Sequence, residues 1–194
     1  DAALEHATKA AELKSIEPHH ISGVVLFRKE RWADAKTEFD NLLRFKVNHV
    51  GALVYLGKVF AAQNQMDKAA DSFQKAMKAD KDSAVVLEGW AEFNIVRKNK
   101  SEAVKALTQL VDKALTNNDP AAAVNWAQKL VSADETLPAS RIRLAEVLEK
   151  KGDANAAADV YYNLSLLLTT QNKADEAASY LKKTLELNPS HEKA

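Results

Sequence analysis

Residues 66–80, MDKAADSFQKAMKAD, and the preceding residues 53–63, LVYLGKVFAAQ, decide the fold class. Each stretch has the spacing of a helix with one apolar face, and these faces carry Ala69, Phe73 and Ala76 in the first stretch and Leu56, Gly57 and Phe60 in the second. A short polar turn, residues 64–65, separates the two stretches. Two apolar-striped helices joined by such a turn predict an antiparallel helix pair, in which the small residues Gly57 and Ala69 let the backbones approach closely.

This helix pair recurs along the chain at a fixed step of 34 residues. Small residues recur where the helices would touch, and large residues recur beside them. The four recurring sets are Gly23/Gly57/Ala91, Ala35/Ala69/Ala103, Phe39/Phe73/Leu107 and Leu42/Ala76/Leu110. Recurrence in phase at this spacing indicates an array of helical repeats.

The step then lengthens, because the next alanine that matches Ala103 is Ala157, 54 residues further on. The longer step predicts two units of three helices, with helices at 84–98, 101–117, 120–133, 139–151, 154–170 and 174–187. The pairs and the longer units together give repeat units near 16–49, 50–83, 84–137 and 138–191. Residues 1–16 would form a helix that ends a preceding unit, so we expect about eleven helices in all.

The pattern resembles the tetratricopeptide repeat (TPR), which has a small residue in its first helix and an alanine, a large residue and another small or aliphatic residue in its second. The sets that carry the resemblance are Gly23/Ala35/Phe39/Leu42, Gly57/Ala69/Phe73/Ala76, Ala91/Ala103/Leu107/Leu110 and Ala145/Ala157/Tyr161/Leu164, together with residues 176–189, EAASYLKKTLELNP. The resemblance implies an all-α fold, a right-handed superhelical solenoid of antiparallel helix pairs, as one domain over 1–194. The longer units are similar to those of bacterial TPR proteins.

Composition narrows the classes of function. Lys plus Arg and Asp plus Glu number 27 each, which gives no reason to expect nucleic acid as a partner. There is no cysteine and no run of about 18 apolar residues, so we expect no disulfide and no insertion into a membrane. The first residue is Asp, and we expect a fragment of a longer protein. A cytoplasmic location is expected, with the periplasm as the alternative.

A repeat array presents an extended concave face, which the first helices of its units line. In the TPR register, the residues expected on that face to bind a partner are Ile21, Val24, Phe27, Arg28, Val54, Tyr55, Lys58, Glu88, Glu92, Arg143 and Glu146. The alternative for Ile21, Val24 and Val54 is that they only pack against neighbouring helices. Family members that hold acidic chaperone tails use Lys, Asn and Arg, and the corresponding positions here carry none of these: His20, Val24, Tyr55, Val85 and Gly89.

Catalytic and metal sites find little support in the sequence. His19 and His20 are neighbours on a helix and point about 100° apart, so we expect exposed histidines rather than metal ligands. Glu88 and Glu92 lie four residues apart, a spacing more typical of a solvated face than of an acid/base pair. The run 97–100, RKNK, suits the carboxyl end of a helix. We therefore expect neither an enzyme nor a cofactor.

The expected function is a protein–protein interaction module that holds a peptide or helix of a partner in its concave groove, as an adaptor in a larger bacterial assembly. Two alternatives stay open: a regulatory TPR domain of a longer enzyme or signalling protein, and a chaperone for secreted proteins. An end of the array also allows a homodimer, through either the apolar side of helix 174–187 or the alanine-rich helix 1–16.

Overall fold

The computed structural model describes residues 17–192, which form ten α-helices and no strand. The helices are α1 (17–28), α2 (Trp32–Phe45), α3 (Val50–Ala62), α4 (Met66–Ala79), α5 (Ala84–Val96), α6 (Lys100–Thr116), α7 (Pro120–Ala133), α8 (Pro138–Lys151), α9 (Ala154–Thr170) and α10 (Ala174–Leu187). The all-α, TPR-like fold is thus confirmed. The six spans predicted for α5 to α10 agree with the structure to within two residues at each end, whereas the predicted helix 1–16 lies outside the described residues.

Two kinds of connection join the helices. Six tight turns each contain one residue in the left-handed region, and these residues are Glu30, Asn64, Lys98, Asn118, Gly152 and Asn172. In each turn the next backbone N–H donates to the carbonyl five residues earlier, at 2.8–3.0 Å, which is the Schellman arrangement that ends a helix. The other helix ends, at Lys46, Asp80, Asp134 and Asn188, have extended backbone instead. Because the extended ends fall at the predicted unit boundaries, we keep the four repeat units as a proposal.

The chain divides into two compact units between Phe93 and Asn94. Unit 1 is built around Phe39 and Phe73, which are almost completely buried. A methyl group on Gly57 would lie 2.7 Å from the Phe73 ring, and one on Gly23 would lie 2.5 Å from the Phe39 ring. The predicted close approach of helices at small residues is therefore confirmed.

Among the described residues of unit 2, one buried cluster lies around Val111, Ala123 and Val147 and another lies around Tyr161 and Leu164. Capping residues mark the ends of three of its helices. The carboxylate of Asp119 accepts from the N–H of Ala122 at 2.9 Å, directly before Pro120. Gly152 ends α8 with a φ of 85°, and Asp153 caps α9.

Candidate interaction surface

The outer face of α1 is apolar and open to solvent. Ile21 is 62% exposed and Val25, one turn later, is 44% exposed. Val24 and Phe27 are half-buried against the core of unit 1, and Arg28 is exposed at the end of the strip. A partner that covers this exposed aliphatic strip would remove apolar surface from water, which stabilises the complex.

Aromatic rings connect α1 to α3. The ring of Tyr55 stacks on Phe39 with centroids 5.5 Å apart and meets the Phe27 ring edge-on, also at 5.5 Å. Phe27 in turn contacts Trp32 at 5.0 Å. Tyr55 is therefore held in place from two sides while remaining half-buried.

A salt bridge continues this row of contacts from α3 to α5. Lys58 Nζ lies 2.9 Å from Glu92 Oε2, and the same ammonium group lies 5.8 Å from the centre of the Tyr55 ring. Glu88 is half-buried one turn before Glu92. Val85, at the start of α5, is exposed.

We call the following residues the first-helix face, since α1, α3 and α5 are the first helices of their proposed repeat units. Its members are Ile21, Val24, Val25, Phe27, Arg28, Tyr55, Lys58, Val85, Glu88 and Glu92, and all of them belong to unit 1. The predicted site residue Val54 is not among them. Val54 is 1% exposed and packs in the core, which agrees with the alternative that it only packs against neighbouring helices.

The two remaining predicted residues lie in unit 2. Arg143 forms ion pairs with Asp112 and, at 3.4 Å, with Glu146. Beside them is a surface cavity of about 400 Å³, which Glu146, Glu149 and Lys150 line. The structure therefore brings Arg143 and Glu146 together as a local pair.

Comparison with known proteins places these observations in a family. Residues 22–84 and residues 158–191 each match a profile described as the tetratricopeptide repeat, and together they make up half of the chain. The chain belongs to the tetratricopeptide repeat family. Proteins of this family are generally interaction modules that bind protein or peptide partners, which supports a protein–protein interaction scaffold.

Solved structures resemble this TPR array over most of its length. For pilF of Pseudomonas aeruginosa the identity is 19%, the coverage is 92% of this chain and 94% of that chain, and the TM-score is 0.51. For YrrB, described as a TPR protein with an unusual peptide-binding site, the corresponding values are 18%, 95%, 93% and 0.43. The likeness to pilF shows the fold alone. A comparison with curated proteins gives no match.

Neither a membrane span nor a metal cluster occurs in the part of the TPR chain that the structure describes. None of its helices is long and apolar enough to cross a bilayer. Likewise, no three His, Asp or Glu side chains of residues 17–192 converge in a group that could hold a metal ion.

One polar network in unit 2 was not predicted from the sequence. The Tyr161 hydroxyl donates to Glu149 Oε1 at 2.5 Å and accepts from Lys183 Nζ at 2.6 Å, while Lys183 Nζ lies 2.9 Å from the same Glu149 oxygen. The Tyr161 side chain is only 1% exposed. The network therefore ties α8, α9 and α10 together around a buried hydroxyl.

The pKa shifts of the network favour a neutral Tyr161, a negative Glu149 and a positive Lys183. Burial, together with the hydrogen bond to Glu149, raises the pKa of Tyr161 to about 12. Burial alone would raise the pKa of Glu149, but the hydrogen bonds from Tyr161 and Lys183 outweigh it and the pKa is lowered. Burial would likewise lower the pKa of Lys183, and its bonds to Tyr161 and Glu149 raise it instead. A neutral phenol between fixed charges suits a structural role better than proton transfer.

The histidines differ from the expectation of exposed side chains. His19 and His20 are both half-buried, because α1 packs them against α2 and α3. His19 Nδ1 lies 2.6 Å from Glu38 Oε2, and the His20 ring lies 5.2 Å from the His49 ring. The expectation that they point in different directions is confirmed, since they contact different partners.

Proposed function

We propose that this TPR protein is a non-enzymatic adaptor that holds a peptide or an amphipathic helix of a partner protein on its first-helix face, within a larger bacterial assembly. The observation that supports the proposal is the unbroken row of contacts from Phe27 through Tyr55 and Lys58 to Glu92. Three successive first helices contribute to this row, which is the arrangement that an elongated ligand requires.

The chemistry of the face sets the chemistry of the partner. The strip of Ile21 and Val25 offers aliphatic surface to an apolar anchor residue. The pair formed by Lys58 and Glu92 offers both a donor and an acceptor to charged groups that flank the anchor. A partner segment with an apolar residue next to charged residues of both signs therefore fits this face best.

Pre-organisation favours binding at this place. Tyr55 is fixed between Phe39 and Phe27, so a ligand that covers its ring need not order it first. Each rotamer-rich side chain that must be immobilised on binding costs about 0.5–1.5 kcal/mol. A face that is already ordered avoids part of this cost.

An affinity capture with matched variants tests the proposal. Ile21→Glu places a charge in the aliphatic strip and should abolish capture of the partner. Val47→Glu is the control, since Val47 is 72% exposed on the connection between α2 and α3 and lies outside the first-helix face. If both folded variants retain the same partners as the original protein, the first-helix face is not the binding site.

Reversal of the charges of Lys58 and Glu92 distinguishes an effect on partner binding from an effect on stability. Lys58→Glu alone would repel Glu92, whereas the double change to Lys58→Glu and Glu92→Lys restores an ion pair of opposite direction. Both variants should lose the partner, although only the first should lose stability. If the double variant captures the partner fully, the partner does not recognise the positions of these two charges.

Two further parts of the proposal concern unit 2. Arg143 and Glu146 would make a separate contact with the partner, and Arg143→Ala should then weaken capture without abolishing it. Self-association through α10 would use Leu185, whose side chain is exposed. Light scattering at several concentrations should show a dimer that Leu185→Lys removes, and a monomer at every concentration would rule out this contact.

A further inference from the structure

Two histidines meet where α1 packs against α3. The rings of His20, on α1, and His49, at the start of α3, lie 5.2 Å apart, and both side chains are half-buried. The helices are so close here that a methyl group on Gly51 would lie 2.8 Å from Cε1 of His20. The His20 ring is therefore packed directly against the backbone of α3.

Each histidine is placed so that its neutral form is the one that fits. His49 caps α3 because its Nδ1 accepts a hydrogen bond from the N–H of Ala52 at 3.1 Å. A protonated Nδ1 cannot accept this bond, and the amino end of a helix also repels a positive charge. His20 Nδ1 is buried and has no hydrogen-bond partner among the described residues, so a proton there would bring an unpaired charge into the contact.

Charged groups of both signs lie near the pair. Lys46, on the connection between α2 and α3, adds a positive charge that disfavours protonation of His49. His19 is next to His20 on α1, and its Nδ1 lies 2.6 Å from a carboxylate oxygen of Glu38 on α2. Among the described residues, the rings of Phe39 and Tyr55 also lie beside the His20 ring, at 6.3 and 6.0 Å.

We propose that His20 and His49 form an acid-sensitive joint between α1 and α3, which is closed when both rings are neutral and loosened when either takes up a proton. Burial lowers the pKa of His20, and burial together with the charges of His20 and Lys46 lowers the pKa of His49. The unfolded chain therefore binds protons more readily than the folded one. The contribution of the two histidines to stability is fully present above pH 6.5, the ordinary pKa of histidine, and is lost as the pH falls from that value through their lowered folded pKa values.

The joint would also make the first-helix face sensitive to acid, a consequence that depends on the proposed function. The Tyr55 ring contacts both His20 and Phe27, so a loosened α1 would separate the aliphatic strip from Tyr55. A partner held at neutral pH would then be released in mild acid. The joint itself is tested without any partner.

The first measurement is an NMR titration of the imidazole Cε1–H signals of the intact chain. The midpoints of His20 and His49 should lie below pH 6.5. Midpoints at or above this value would overturn the proposal, because the folded protein would then accept the protons as readily as the unfolded chain.

The second measurement compares thermal unfolding at pH 7.5 and pH 5.5, a range above the titration of ordinary carboxylates. The protein should lose thermal stability at the lower pH. The variant with His20→Phe and His49→Asn keeps an aromatic ring and a capping oxygen but cannot titrate there, and its loss should shrink by at least half. The control His19→Gln removes the neighbouring histidine and should retain the full loss. An equal loss in the double variant would overturn the proposal, and if that variant does not fold, the NMR midpoints of the unchanged protein decide.

Discussion

Replacement of Tyr161 by phenylalanine removes only the hydroxyl that joins Glu149 to Lys183. Hydrogen bonds to charged groups contribute about 1.5–3 kcal/mol to stability. The direct contact of Lys183 with Glu149, at 2.9 Å, survives the change, and both side chains remain about one-third exposed, so neither is left buried without a partner. We therefore expect Tyr161→Phe to lower the free energy of unfolding by about 1–2 kcal/mol, near the lower end of that range.

Thermal unfolding followed by circular dichroism measures this effect. For a chain of this length, a loss of that size should lower the Tm by roughly 2–8 °C. Tyr162→Phe is the matched control, because Tyr162 is the next residue of α9, its ring contacts His191, and its hydroxyl takes no part in the network. Equal melting temperatures for the two variants would refute the stabilising role of the Tyr161 hydroxyl.

The same network gives a signature at high pH. The folded pKa of Tyr161 is about 12, whereas an ordinary tyrosine has a pKa of 10. Because the unfolded chain releases this proton first, the contribution of Tyr161 to stability is present below pH 10 and is lost as the pH rises towards 12. Absorbance of tyrosinate at 295 nm should show one of the four tyrosines titrating late, and this late step should be missing in Tyr161→Phe. A late step that persists in the variant would assign it to another tyrosine.

The remaining predictions concern backbone and packing. Lys98 has a φ of 58°, which glycine adopts more easily, so Lys98→Gly should stabilise the protein by up to about 1 kcal/mol. Gly152 has a φ of 85°, and no atom lies within 4 Å of a methyl group added there. Gly152→Ala should therefore destabilise the protein by about 1–2 kcal/mol through its backbone conformation alone. Urea unfolding measures both, and effects of the same sign would contradict the assignment to φ. Gly57→Ala should destabilise by about 1–3 kcal/mol, because its methyl would overlap the Phe73 ring, and an unchanged urea midpoint would show that the ring can move aside.

The sequence predicts the helices well because their ends depend on local chemistry. Asp119 before Pro120 and Gly152 before Asp153 fix the ends of neighbouring helices through side-chain caps and the backbone conformation of glycine. The core positions are equally predictable, since Phe39 and Phe73 recur in step with the glycines that they cover. Such features need only the residues of one or two adjacent helices.

The sequence predicts the candidate site less completely, because exposure depends on neighbouring helices. Val54 and Tyr55 are adjacent in sequence, and yet one is buried and the other half-buried. The exposed Val25 lies one turn from Ile21, but no repeat set contains it, so the repeat pattern does not single it out.

Contacts between residues far apart in sequence could not be predicted at all. Tyr161 lies 12 residues from Glu149 and 22 residues from Lys183, and the three meet only because α8, α9 and α10 pack together. His20 and His49 lie on different helices, and no spacing rule connects them. Each of these clusters depends on tertiary packing rather than on a local motif.

The central claim is that a partner protein binds the first-helix face, and site-specific photocrosslinking tests it most directly. A photoreactive amino acid at position 21 lies on the exposed strip of α1, and the same group at position 166 lies on exposed surface of α9 in unit 2. The account predicts that one partner is crosslinked from position 21 and not from position 166, and that Lys58→Glu removes this crosslink. A partner crosslinked from position 166 alone would contradict the account.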